Sequence, residues 1–350
     1  MKHIRISGSD TFSQLGVSSK NISRLSSVDA TLFREAFKQE PTYYCNSWLY
    51  ILRSTRDDQG SFGHKFIGKD VLIGIGYRHH TVYLIHPMGN ARFATTLALC
   101  KKILRNMHCS IVLKKLDQEL YKYLVSNKLF QQEKDASLLY AETFPKYPSE
   151  IMSLEEETFP EHTLHLSALF NPDTGAYKQS DSFMRKVKRF EKNMITLLPR
   201  SNMINVESTS GFLALFTSHP EKYNSYIQMI REVNAYSKED TTYKICAYYD
   251  QHETIHGLYI SESLGNGNMG LYCAVSSRDF PGITEWMDYD FFQQLYQDKV
   301  HYLYLGGSET SGVDTYIKKL FPITPPYFLQ PMRVDNDGTY SSDTHISSAD

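Results

Sequence analysis

The residues best placed to do chemistry lie on one six-residue loop and one basic helix. Ser277-Arg278-Asp279-Phe280-Pro281-Gly282 joins a predicted strand, Gly270 to Ser276, to a predicted helix, Thr284 to Gln297. A backbone that leaves a strand and opens a helix aims unpaired N–H groups outward, which suits a phosphate or an anionic carbonyl. Arg278 opens this loop and adds a guanidinium to the same side. With one glycine and one basic residue, the loop makes a poor glycine-rich phosphate cradle. The helix lies within Tyr177 to Leu198 and includes Met184 to Asn193; Phe183, Val187, Phe190 and Met194 recur along it at three- and four-residue steps as one apolar stripe. Arg185, Lys188, Arg189 and Lys192 fall along the adjoining face. That face is either the solvated flank of a half-buried helix or a ridge for a polyanion such as RNA or a carrier phosphate. Other chemistries find no pattern. There is no Gly-x-Ser-x-Gly elbow, no Walker-type loop and no dinucleotide fingerprint. His79-His80 falls in a predicted hairpin turn rather than at metal-ligand spacing.

An α+β frame must position these residues. Thr254 to Glu262 reads as a strand, Gly265 and Gly267 as a turn, and Gly270 to Ser276 as the returning strand. Leu258 and Ile260 alternate with Tyr259 and Ser261, so the first of these strands is buried on at least one face. The helix Thr284 to Gln297, a strand Val300 to Leu305, a Gly306-Gly307 turn and a helix Gly312 to Leu320 follow. The first half reads similarly. A strand ends near Arg53, a polar loop covers Ser54 to Gly68, and strands Asp70 to Tyr77 and Thr81 to Ile85 form a hairpin. Pro87-Met88-Gly89 stops the second of these, before a helix Arg92 to Met107, a strand Ser110 to Leu113 and a helix Asp117 to Ser126. Gln131 to Asn171 is irregular, with the acidic Glu155-Glu156-Glu157 reading as a solvated helix start. After Pro199 come a short strand (Ile204 to Glu207), helices near Thr209 to Thr217 and Glu221 to Ser237, and a strand Thr242 to Tyr249. The recurring order of strands, helix, strand, helix makes a duplicated fold the economical reading. The expected division is residues 1–36 as an extension, 37–170 and 171–334 as two domains, and 335–350 as a polar mobile tail.

Composition narrows the class. A chain of 350 residues can build two ordinary domains, and a net charge of −2 confines any anion site to a local patch. Tyrosine is abundant, with 25 residues, and its amphipathic ring suits a partly wet groove as well as an ordinary sheet face. Cys45, Cys100, Cys109, Cys246 and Cys273 are odd in number and scattered, which reads as reduced core thiols in a cytoplasmic protein without a structural metal. The first twenty residues lack the pattern of a signal peptide, and no apolar run is long enough to span a bilayer.

Several patches together resemble one family. They are Asn46-Ser47-Trp48-Leu49-Tyr50-Ile51-Leu52-Arg53, the strand ending in Pro87-Met88-Gly89, the helix Met184 to Asn193, Tyr304-Leu305-Gly306-Gly307-Ser308-Glu309, and Tyr316-Ile317-Lys318-Lys319-Leu320-Phe321-Pro322. Across roughly residues 40 to 325, their order is similar to that of bacterial proteins related to the C-terminal domain of phosphatidylglycerol lysyltransferase. Those are tandem GNAT-like domains, kin to the Fem peptidyltransferases that take amino acids from aminoacyl-tRNA. The resemblance implies an α+β fold of two tandem GNAT-like domains with mixed sheets flanked by helices. It implies an acyltransferase whose C-terminal domain holds the donor, with aminoacyl-tRNA as donor substrate and no bound cofactor. The acceptor would be a small molecule, a peptide or a lipid headgroup. The Gly- and Gln/Arg-rich pyrophosphate loop of acetyl-CoA-dependent GNAT enzymes is missing at Ser277 to Gly282. That departure weakens an acyl-CoA or acyl-carrier donor, and it fits equally a GNAT-like binding protein that has lost activity.

The resemblance also assigns roles. The family's last helix carries an aromatic, Lys, two residues and Phe. Lys318 and Phe321 match, with Ile317 in the aromatic's place. A lysine there can serve as a fixed cation for a tetrahedral oxyanion, or Lys318 and Lys319 simply complement a helix C-terminus. The basic helix matches a family feature too, which makes Arg185, Lys188 and Arg189 candidates for tRNA or other anions. Acyl transfer to an amine needs a positioned ester, an unprotonated amine and help for the oxyanion. Glu262, closing a central strand where the GNAT fold opens, is the candidate base or amine anchor, or else a strand-end charge in water. Tyr272 and Ser276 share a face by strand alternation and can donate to a leaving oxygen, although Tyr272 also suits core packing. Glu309, after the Gly-Gly turn, joins the substrate-binding candidates or caps the last helix.

Overall fold

The computed structural model describes residues 33, 62–67, 71–78, 81–107, 110–127, 161–171, 173–174, 177–178, 181–193, 195–201, 204–215, 220–236, 243–307, 315–317 and 330–334. These fall into two compact units, one containing residues 62–127 and 330–334, the other residues 161–317.

The first unit comprises β1 (Phe62–Ile67), β2 (Val71–Arg78), β3 (Thr81–Met88), α1 (Arg92–Asn106), β4 (Ser110–Leu116), α2 (Gln118–Ser126) and β11 (Gln330–Val334). Its sheet has the order β1-β2-β3-β4-β11. β2 and β3 form the expected hairpin, with Arg78 opposite Thr81. The chain then crosses through α1, so β4 joins β3 in parallel. Val82, Leu84, Ile111 and Leu113 from the strands meet Leu97, Cys100, Ile103, Leu120 and Leu124 from the helices in one core. Asp117 caps α2 by accepting from the Leu120 N–H at 2.7 Å, and it also accepts from Arg92 Nε at 3.1 Å. One carboxylate thus ties the starts of both helices together. β1 lies within the stretch expected as the polar loop 54–68. Among the described residues it pairs with β2 alone.

The second unit comprises β5 (Glu161–His165), α3 (Leu166–Leu169), α4 (Asp181–Glu191), β6 (Leu198–Ser201), α5 (Val206–Ala214), α6 (Pro220–Tyr236), β7 (Tyr243–Tyr249), β8 (Ile255–Gly265), β9 (Asn268–Ser276), α7 (Ile283–Gln297), β10 (Tyr302–Gly307) and a helical stretch at residues 315–317. Its sheet runs β5-β10-β9-β8-β7-β6. The β8–β9 hairpin leads through α7 to β10, which lies parallel to β9, and β5 closes that side antiparallel. The order β8, β9, α7, β10 repeats the path β2, β3, α1, β4 of the first unit, while the antiparallel strand that closes each sheet comes from opposite sides of that path, β5 before it and β11 after it. The fold is α+β, with mixed sheets flanked by helices.

The closing strands alter the expected division. Residues 161–165, placed in the irregular connection, pair with β10 of the second unit, and residues 330–334 pair with β4 of the first. Short polar strands of this kind carry little periodicity and form only when a sheet edge accepts them. β6 is another shift, because the strand expected at Ile204 to Glu207 sits at Leu198–Ser201. Its Pro199 is tolerated because β6 is an edge. Asn205 then caps α5, accepting from the Glu207 N–H at 2.9 Å, so Val206 begins a helix.

β8 is buried along residues 255–262, hence on both faces rather than one. One face meets α4 and α7 through an aromatic core of Phe183, Phe190, Tyr248, Tyr259, Phe291 and their neighbours. Phe183, Val187 and Phe190 form the predicted stripe of α4 and are fully buried. Among the described residues, no helix is long and apolar enough to cross a membrane.

Candidate functional site

The site begins where the second sheet opens. β9 and β10 pair only at Asn268, Met269 and Gly270, opposite Tyr302, Leu303 and Tyr304. Beyond Gly270, β9 continues to Ser276, whereas β10 shifts register at Tyr304/Gly306 while following β5. Among the described residues, no ladder to β10 continues past Gly270, so β9 and β10 part there.

A bulge sits at the start of the open stretch. Leu271 faces Ser261 and Cys273 faces Ile260, which leaves Tyr272 as the extra residue. The bulge shifts the alternation by one, so Tyr272 and Ser276 do not share a face, contrary to simple strand counting. The Tyr272 hydroxyl occupies the space a Cβ would take on Gly270, the residue opposite Glu262. Glu262 and Tyr272 therefore lie together, on the side of the sheet away from Tyr259. Glu262 is 2% exposed, so it is a buried acid and not a strand-end charge in water. Ser276 lies on the α7 side, where its hydroxyl is 2.7 Å from that of Thr284.

The loop 277–282 is anchored at both ends. The Ser277 N–H donates to the His256 carbonyl at 2.7 Å, and the Ser277 hydroxyl lies 3.3 Å from His256 Nδ1. His256 Nε2 lies 3.3 Å from Asp250, and Asp279 approaches Nδ1 at 3.5 Å. Burial works against the Asp250 carboxylate, but the N–H groups of Thr254 and His252 and the His256 ring outweigh it and hold its pKa below the ordinary value. This Ser-His-Asp grouping is a tether, because Ser277 is buried too deeply to act as a nucleophile. At the far end, Gly282 has φ 88° and packs against the Lys186 carbonyl of α4, where any Cβ would collide. Lys186 Nζ reaches Glu285, in the first turn of α7, at 2.6 Å. Arg278 is exposed on the loop, and Arg185, Lys188 and Arg189 are exposed on the outer face of α4. The structure thus brings the loop and the basic helix side by side. Lys318 and Glu309 lie outside the described residues, as do His79-His80, Met194, the expected strand ending near Arg53 and the tail 335–350.

A further cluster lies on the α7 side of the sheet. Asp288 of α7 accepts from the Tyr259 hydroxyl at 2.8 Å and from the Tyr316 hydroxyl at 2.9 Å. Burial pushes its carboxyl up to about 6, against the pull of the two phenol donors. The same burial, with the neighbouring carboxylate, raises both phenols well above their ordinary values, so both hydroxyls stay protonated. Two residues along α7, Asp290 accepts from Tyr248 at 2.8 Å and from Gln294 at 2.6 Å. Sequence reading missed this cluster. Asp288 is followed by Phe291, Phe292 and Leu295 at three, four and seven residues, so a carboxylate stands in the core stripe of a helix. That misplaced charge is the signal that was available.

No protein-family model matches the chain, and no curated protein matches it. Among solved structures, it is similar to a conserved protein of unknown function from Bacteroides thetaiotaomicron, with TM-score 0.60 and 10% identity over 89% of this chain and 97% of that one. Weaker likenesses include FemX, at TM-score 0.49 and 10% identity over 95% and 96% of the two chains. L-PGS from Bacillus licheniformis is similar at TM-score 0.49 and 11% identity, over 81% of this chain and 78% of that one.

Proposed function

We propose that the protein is an acyltransferase that takes an aminoacyl group from aminoacyl-tRNA and passes it to an amine or hydroxyl acceptor. The observation that carries this reading is the seating of Gly282 on the Lys186 carbonyl, which sets the exposed cations of α4 beside the loop that ends the open stretch of β9. A polyanion lying along Arg185, Lys188 and Arg189 would bring its esterified end toward that opening, with Arg278 at the mouth. A compact pyrophosphate would gain less, since the loop offers a single glycine and its first residue is tethered to His256. Lys318, two residues beyond Tyr316, completes the reading as the cation for the developing oxyanion. The acceptor can be a small molecule, a peptide or a lipid headgroup.

Incubating the full chain with a mixture of radiolabelled aminoacyl-tRNAs and cell extract tests the reading, because label must leave the tRNA in an enzyme-dependent way. Binding of charged tRNA should weaken steeply with salt, and Lys188→Ala and Arg189→Ala should each lower the slope of log affinity against log salt by about 1. Thermal stabilisation by a CoA thioester and not by tRNA would instead favour a thioester donor. Binding without turnover, unchanged by Lys318→Ala, would leave a GNAT-like binding protein.

A further inference from the structure

A buried imidazole underlies the loop that carries Arg278. His256 of β8 is 5% exposed, and each of its ring nitrogens meets a carboxylate. Nε2 lies 3.3 Å from Asp250, just after β7, and Nδ1 lies 3.5 Å from Asp279 of the loop. The Ser277 hydroxyl is 3.3 Å from the same Nδ1, and the Phe280 ring centre is 5.7 Å from that of the imidazole. Arg278 thus stands between two residues that meet one nitrogen. Glu253, paired with Arg200, acts on Asp250, and α4 reaches this part of the loop through Phe190 against Phe280. Among the described residues, neither Asp250 nor Asp279 forms an ion pair with any other side chain than His256.

The number of ring protons decides what this arrangement does. A neutral imidazole has one N–H and one lone pair, whereas the charged ring has two N–H groups. An ionised carboxylate only accepts, so a single ring proton serves one acid and turns a lone pair toward the other. Asp250 has first claim on it. It also accepts from the His252 N–H at 2.8 Å and the Thr254 N–H at 2.9 Å, which fix it beside Nε2. In the neutral ring Nδ1 then accepts from the Ser277 hydroxyl, and Asp279, whose side chain is 63% exposed, stands as an uncompensated anion next to Arg278. In the charged ring Nδ1 donates to Asp279, which neutralises the single carboxylate of the loop and fastens the loop on both sides of Arg278. We propose that His256 is a proton-operated latch on the loop 277–282, which raises the affinity of Arg278 and the α4 cations for a polyanion when its ring is charged. This rests on the reading of that surface as a polyanion site and adds its regulation. The proton comes from water and returns to it, and no other bond is made or broken. Acid charges the ring, the ring cancels Asp279, and the surface presents its cations alone. As pH rises the ring loses its proton, and the Asp279 charge returns to repel phosphate. Reciprocally, a bound polyanion favours the charged ring. Imidazole suits this task because it is the side chain whose ordinary titration falls near physiological pH.

The test is filter binding of deacylated total tRNA to the full chain, at fixed ionic strength, from about pH 5 to about pH 8. It compares the wild-type chain with Asp279→Asn and His256→Gln. Wild-type affinity should fall about fivefold from the acid to the alkaline end, the effect in water of one charge a few ångströms from a phosphate. Asp279→Asn should keep the acid-end affinity at every pH, because the charge that the latch controls is gone. His256→Gln should give a level profile at the weaker, alkaline-end affinity. Should His256→Gln fail to fold, Asp279→Asn answers alone, since its side chain is exposed. A wild-type profile that is level, or one that Asp279→Asn reproduces with its slope intact, would overturn the latch and leave the polyanion reading standing. Failure of the wild-type chain to bind tRNA at any of these pH values would overturn both.

Discussion

A carboxylate sealed in an apolar core makes its own ionisation a cost to the folded state, and Asp288 shows the sign of that cost. Its folded value is raised to about 6 by burial, above the ordinary aspartate value of about 4. Between those values the native state holds a proton that the unfolded chain has released, so proton uptake favours folding. The second unit should accordingly lose stability as pH rises from about 4 to about 6, and then level off as far as this group is concerned. Asp290 is raised by burial in the same direction and adds to the slope. Urea unfolding followed from pH 4 to pH 7 checks this, and Asp288→Asn is expected to flatten the decline. A slope unchanged by that substitution would mean that Asp288 ionises freely in the native protein. Glu262 teaches the complementary lesson. Its type was noticed in the sequence, but its burial and its place beside Tyr272 depend on how β8, β9 and the bulge stack.

Among the elements, the joint between α4 and α7 is the one on which the proposed function rests. α4 buries Phe183, Val187 and Phe190 and leaves its cations in solvent, the arrangement its three- and four-residue spacing dictates. The joint itself depends on Gly282, whose positive φ and contact with the Lys186 carbonyl exclude a side chain. Gly282→Ala is expected to cost about 1–3 kcal/mol, since neither the backbone angle nor the neighbouring backbone can relax cheaply. It should also weaken tRNA binding without removing a single charge, because the loop and the basic face would separate. Thermal unfolding and a filter-binding titration on the same variant check both effects. An alanine variant with full stability and full affinity would show that the close approach has no bearing on anion binding.

At the scale of the whole molecule, the two units repeat one path of hairpin, helix and parallel strand around separate cores. Phe291→Ala, in the aromatic core, is expected to destabilise the second unit by about 3–5 kcal/mol, and Ile103→Ala the first by about 2–5 kcal/mol. Hydrogen exchange should record each loss in the strands of its own unit, β8 for one and β3 for the other. The sequence by itself determined the helices that carry a face, the hairpins that carry glycine or alternation, and the duplication, because these depend on local spacing and on burial that every residue of the element shares. It did not determine β1, β5, β6 or β11, whose residues become strands only when a neighbouring edge supplies the hydrogen bonds. Nor did it determine the meeting of Asp288, Tyr259 and Tyr316, or that of Asp250, His256 and Ser277. Each set draws residues from elements distant in the chain, and only packing decides which polar groups are sealed from water and must satisfy one another.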